Sequence, residues 1–114
     1  METPTTVTVG TGPVTFAELV AVARGGAAVE LGADAIGAIE RSRAVVDELA
    51  AAPTPAYGIS TGFGALATRH IPTEMRAQLQ RSLVRSHAAG SGPEVEREVV
   101  RGLMLLRLST LATG

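Results

Sequence analysis

Cysteine is absent from the 114 residues, which excludes a disulfide framework, a thiolate metal site and a catalytic thiol. Tryptophan is absent as well, and aromatic residues make up only 3% of the chain, so few flat surfaces exist on which bases could stack. A formal net charge of -1 removes the electrostatic case for binding a phosphate backbone. Nucleic acid is therefore not an expected partner. Lysine is missing too: every basic residue is arginine, a bias that carries no functional signal by itself. The histidines are His70 and His87, and no carboxylate accompanies them at metal-ligand spacing, so no metal site is expected. Long apolar runs are also lacking. The most apolar, residues 103–106, is interrupted by Arg107 and is far too short to cross a bilayer. The first residues lack the basic-then-apolar order of a secretion signal. A cytoplasmic protein without a membrane anchor is the expectation. The hydrophobic fraction of 46% suffices for the core of one ordinary domain.

Against this background one stretch stands out: Tyr57-Gly58-Ile59-Ser60-Thr61-Gly62-Phe63-Gly64. Three glycines in eight positions free the backbone for positive φ and for close approach to another group. A loop of this kind can serve to place a side chain, and the candidates are Tyr57, the only tyrosine, and the hydroxyls of Ser60 and Thr61. A glycine-rich turn between helices is also a common connector.

The surrounding pattern is mainly helical. Thr6-Val7-Thr8-Val9-Gly10 alternates β-branched residues and predicts a short strand, with Ala27-Ala28-Val29-Glu30-Leu31 as a second strand to pair with it. Between them, Thr15 and Glu18 have capping-box spacing at the start of a helix over residues 16–24, which Gly25-Gly26 stops. Ile36, Ile39, Val46 and Leu49 then recur at helical spacing over residues 34–51, and Pro53 and Pro55 end that helix. Residues 65–71 give no clear pattern. A third helix is expected to start with Thr73 as its cap, with Met75, Leu79 and Leu83 on one face. His87 extends that apolar stripe, where a lone histidine is more often a hydrogen-bonded core residue than a functional one. Ser91 and Glu94 have capping-box spacing for a last helix, apolar on more than one face from Val95 to Leu111. A helix apolar nearly all round expects to be surrounded. The preceding elements are too few and too alanine-rich to do so, which predicts either a longer polypeptide or burial against partner chains.

The Tyr57 to Gly64 octapeptide, followed by Leu79-Gln80-Arg81-Ser82-Leu83-Val84-Arg85-Ser86-His87-Ala88-Ala89-Gly90, closely resembles the N-terminal region of the aromatic amino-acid ammonia-lyases, and among them the histidine ammonia-lyases. The similarity runs over nearly the whole chain, from Val7-Thr8-Val9-Gly10 to Arg101-Gly102-Leu103-Met104-Leu105-Leu106-Arg107. It implies elimination of ammonia from L-histidine to give urocanate, the first step of histidine breakdown. It also implies a largely α-helical homotetramer whose active sites draw on several subunits. By this resemblance Tyr57 is the base that removes the β-proton, His87 contacts the substrate imidazole, and Gly64 lies beside both tyrosine and substrate, where a side chain would intrude. The family's electrophile is 4-methylidene-imidazol-5-one, built autocatalytically from an internal Ala-Ser-Gly. No such triad occurs among residues 1–114; Gly90-Ser91-Gly92 begins with the wrong residue. The chain is accordingly expected to be the N-terminal region of a longer enzyme, ending before the triad, and inactive alone.

The chemistry suits the loop. A phenol has a reference pKa of about 10 and is a poor base at neutral pH unless its anion is stabilised, which backbone N–H groups can do. Tyrosine or phenylalanine ammonia-lyases and aminomutases are a second possibility, and Ser86-His87 favours histidine over them. A non-catalytic helical module that works by association is a third, with the last helix as its contact surface.

Overall fold

The computed structural model describes residues 3–57, 59–62 and 71–114. Among these the order is strand β1 (Thr6–Val9), helix α1 (Phe16–Ala23), strand β2 (Ala28–Leu31), helix α2 (Ala33–Ala51), a 3-10 turn (Thr73–Met75), helix α3 (Arg76–His87) and helix α4 (Arg97–Leu111). The mainly α architecture with a small β element near the N-terminus is as expected. Two compact units divide the chain, one of residues 1–43 with 93–114 and one of residues 44–92.

In the first unit β1 and β2 pair in parallel, with Thr6 opposite Ala28 and Val9 opposite Leu31. A parallel pair needs a crossover, and α1 supplies it. The alternation of β1 puts Val7 and Val9 inside and Thr6 and Thr8 outside. The capping box that starts α1 is present: the Thr15 hydroxyl accepts from the Glu18 N–H at 3.1 Å, and the Glu18 carboxylate accepts from the Thr15 N–H at 3.0 Å. At its far end Gly26, at φ +70°, makes the left-handed turn that leads into β2. Val7, Val9, Ala21, Val22, Ala35 and Leu105 form the centre of the core. Helix α4 meets α1 at Gly102, where an added Cβ would lie 3.5 Å from the Leu19 side chain. Arg101 ties the two elements together: its guanidinium donates to the Val22 carbonyl at 2.7 Å and to the Ala27 carbonyl at 3.0 Å.

Two expectations need correction, and the buried face of α2 is a further finding. Helix α4 does not begin at a Ser91–Glu94 capping box; it begins at Arg97, after Glu96, with no side-chain cap. A cap at Ser91 would require Gly92 to be helical. Pro93 disfavours that in the residue before it, and Gly92 instead sits at φ +86°. Thr73 is not the cap of α3 either, because a 3-10 turn, closed by Met75 N–H to Pro72 carbonyl at 2.9 Å, precedes Arg76. Finally, α2 buries Ala35 and Ala38 rather than its large apolar residues, with Ile36 and Leu49 exposed. Small side chains let the helix approach its neighbours closely, and spacing patterns weighted toward large residues pass over them.

Candidate functional site

The site residues lie in the unit of residues 44–92. Helix α2 ends at Ala51, just before Pro53 and Pro55, and the chain enters a turn at Ala56. Two N–H groups converge on the Ala56 carbonyl, from Ile59 at 3.1 Å and from Ser60 at 3.0 Å. The Ala56 N–H in turn donates to the Ser60 hydroxyl at 2.8 Å. Ser60 is 0% and Thr61 1% exposed. The Thr61 hydroxyl is 3.0 Å from the Gly62 carbonyl and 3.4 Å from that of Ala56. Both hydroxyls are thus turned inward, and neither is presented to a ligand. Tyr57, by contrast, is 63% exposed. Of the three candidate side chains in the loop, the fold offers the phenol and hides the alcohols. Gly58, Phe63 and Gly64 lie outside the described residues, so Gly64 keeps its standing as an expectation.

The turn is joined to α3. The Ile71 N–H donates to the Ser60 carbonyl at 2.8 Å. Arg76, the first residue of α3, donates through Nε to the Ile71 carbonyl at 3.0 Å and through Nη1 to the Ala50 carbonyl in the last turn of α2. A cation there complements the carbonyl end of the helix. Bonds therefore run from Ala56, beside Tyr57, through Ser60 and Ile71 to the helix that carries His87.

His87 ends α3 and is exposed, not part of a buried apolar stripe; α3 has no buried residue. Its Nδ1 lies 2.9 Å from the Leu83 carbonyl and 3.0 Å from the Ser86 hydroxyl. A carbonyl can only accept, so the Leu83 contact is a hydrogen bond in the Nδ1–H tautomer, which leaves the lone pair on Nε2. The Ser86 hydroxyl itself donates to the Leu83 carbonyl at 3.0 Å. Held in this way, the imidazole presents an acceptor nitrogen suited to an N–H of a ligand.

Sequence reasoning offered the Ser60 hydroxyl only as a group for the loop to present, not as a backbone partner, and did not single out Arg76. For Ser60 a signal existed: a serine in a tight turn often bonds nearby backbone. For Arg76 none existed, because its partners lie five and 26 residues away. Among the described residues no cluster of His, Cys, Asp and Glu is arranged to hold a metal ion, and no helix is long and apolar enough to cross a membrane.

A glycine-rich turn that presents one tyrosine is thus linked by hydrogen bonds to a helix that ends in a histidine. A profile of the aromatic amino acid lyase family matches residues 14–114, and the chain belongs to that family. It is 66% identical over 109 residues to a histidine ammonia-lyase of Streptomyces griseus, covering 96% of this chain and 21% of that one. With the histidine ammonia-lyase of Streptomyces avermitilis the identity is 64% over the same coverage. Among solved structures, the ergothioneine-degrading ergothionase of Treponema denticola superposes with a TM-score of 0.90 at 28% identity, over 96% of this chain and 22% of that one. The tyrosine aminomutase of Streptomyces globisporus gives 0.86 at 33% identity, over 95% and 20%. The helices and the small β element are thus those of the ammonia-lyase and aminomutase fold. The chain spans about a fifth of the length of the relatives it matches.

Proposed function

We propose that these residues are the N-terminal portion of a cytoplasmic, homotetrameric histidine ammonia-lyase, which eliminates ammonia from L-histidine to give urocanate. The observation that carries it is Tyr57, exposed on a turn whose neighbours Ser60 and Thr61 are buried. In the elimination a proton leaves the β-carbon, its bonding electrons form the Cα–Cβ double bond, and ammonia departs with the electrons of the C–N bond. Tyr57 takes the β-proton. His87 Nε2 accepts from an N–H of the substrate imidazole. The family resemblance gives Gly64 the role of leaving room for the substrate. The names of the relatives at 62–66% identity support histidine as substrate. An aromatic aminomutase is the second possibility, supported by the solved tyrosine aminomutase at 33% identity.

The 4-methylidene-imidazol-5-one of this family activates the amino group as a leaving group. Its Ala-Ser-Gly precursor is not among residues 1–114, so these residues cannot form it. They supply the base and the imidazole contact.

The test is a full-length chimera in which residues 1–114 replace the matching segment of the Streptomyces griseus relative. It should release urocanate from histidine, followed by ultraviolet absorbance. Tyr57→Phe keeps the ring but removes the proton acceptor, so kcat should fall by about 10²–10⁴-fold with far less change in binding. Near-normal kcat in that variant would place the base elsewhere.

A further inference from the structure

We propose that Ser60 is a positioning residue for Tyr57, an assignment that rests on Tyr57 acting as the base. Ser60 is fully buried, and its N–H, carbonyl and hydroxyl all make hydrogen bonds. Two of the three go to Ala56: the hydroxyl accepts the Ala56 N–H at 2.8 Å, and the Ser60 N–H donates to the Ala56 carbonyl at 3.0 Å. The third, the Ser60 carbonyl, accepts from Ile71 at 2.8 Å. Ala56 is therefore fixed at both of its backbone polar groups by one residue, and Ala56 immediately precedes Tyr57. The phenol oxygen lies at the end of a long side chain. A backbone rotation of about 10° at its root swings that oxygen by about 1 Å, and a misplacement of that size costs about 10²-fold in rate. Ile71 carries the restraint onward, since its carbonyl is held by Arg76 of α3 at 3.0 Å. The Ser60 hydroxyl thus sets the root of the tyrosine relative to the helix that ends in His87, without itself reaching a ligand.

The experiment is a double-mutant cycle in the full-length chimera, using Ser60→Ala, Tyr57→Phe and the pair. Ser60→Ala should lower kcat for histidine by about 10- to 100-fold while KM stays within about threefold. Ser60→Thr, which keeps the hydroxyl, should recover most of the loss. On top of Tyr57→Phe, Ser60→Ala should cost nothing further, because no base remains to be placed. An equal loss in both settings would make Ser60 a general stabiliser and overturn the proposal; so would unchanged kcat in Ser60→Ala. Full kcat in Tyr57→Phe alone would overturn the base assignment and this proposal with it, an outcome distinct from the other two. If Ser60→Ala does not assemble, Ser60→Cys takes its place with the same outcomes. Its sulfur matches the serine oxygen in position but accepts only weakly.

Discussion

His87 poses the sharpest question at the scale of single residues. The Ser-His-Ala-Ala-Gly pattern proposes a role for it through the family resemblance, yet its surroundings were not legible in the sequence. Helical spacing put it on an apolar stripe with Leu79 and Leu83, and spacing alone cannot tell whether anything covers that stripe. In the structure His87 is exposed, and its Nδ1 lies 2.9 Å from the Leu83 carbonyl. If Nε2 accepts from the substrate imidazole, His87→Leu in the full-length chimera removes a directional contact and leaves an apolar surface. KM for histidine should rise about tenfold, and the ratio of kcat/KM for phenylalanine or tyrosine over histidine should increase. Steady-state kinetics on the three amino acids decides it. Unchanged histidine kinetics would return His87 to a purely local role, capping its own helix, and would leave Ser86-His87 without weight in the choice of substrate.

Elements were legible where the signal is local and obscured where two local signals compete. The Thr15–Glu18 box and β1 came through because their partners are within a few residues or strictly alternate. The start of α4 did not, since Pro93 overrode the Ser91–Glu94 spacing, and the buried face of α2 did not, since alanines made the contact. A further contact between elements had no sequence signature: Asp34, in the first turn of α2, reaches the segment after β1. Its Oδ2 accepts from the Thr11 N–H at 3.0 Å and from the Thr11 hydroxyl at 3.2 Å. A Cβ at Gly10 or Gly32 would come within 2.8 Å of this carboxylate, so glycine after each strand leaves it room. The backbone N–H groups of Thr11 and Ala35 hold the Asp34 carboxyl below the usual carboxylate value. A folded pKa below the unfolded one means the native state releases the proton more readily. The resulting stability is complete above a pH of about 4, the ordinary Asp value, and disappears as pH falls through the lower folded value. Asp34→Asn should therefore lower Tm near neutrality, and the gap from the parent chain should close as the medium is acidified. Thermal unfolding of both across pH 2–7 checks this; a gap that persists at the acid end would assign the stabilisation to shape rather than charge.

On the scale of the whole molecule, α4 governs behaviour in solution. It buries Gly102 and Leu105 against the core, yet Leu103 and Met104 remain 62% and 68% exposed, and Leu106 and Leu111 are exposed as well. An apolar groove of about 690 Å³ runs beside it, lined by Val22, Val29, Leu103, Met104, Leu108 and Leu111. The apolarity of α4 on several faces was legible from its leucines, although which face the core takes was decided by Gly102, whose lack of a side chain brings α1 close. Water-exposed apolar surface of this kind gains about 25 cal/mol for each Å² buried. Monomeric proteins seldom leave such patches uncovered. Residues 1–114 prepared alone should consequently self-associate and bind a hydrophobic dye, while producing no urocanate, because no Ala-Ser-Gly is present to form the electrophile. Sedimentation velocity over a range of concentrations measures the first, and the double substitution Leu103→Glu with Met104→Glu should shift the distribution toward monomer and weaken dye binding. Neither side chain belongs to the buried core, so circular dichroism should report unchanged helix content in that variant. A strict monomer at high concentration that binds no dye would mean the exposed leucines of α4 are tolerated singly, and the helix would lose its standing as a contact surface.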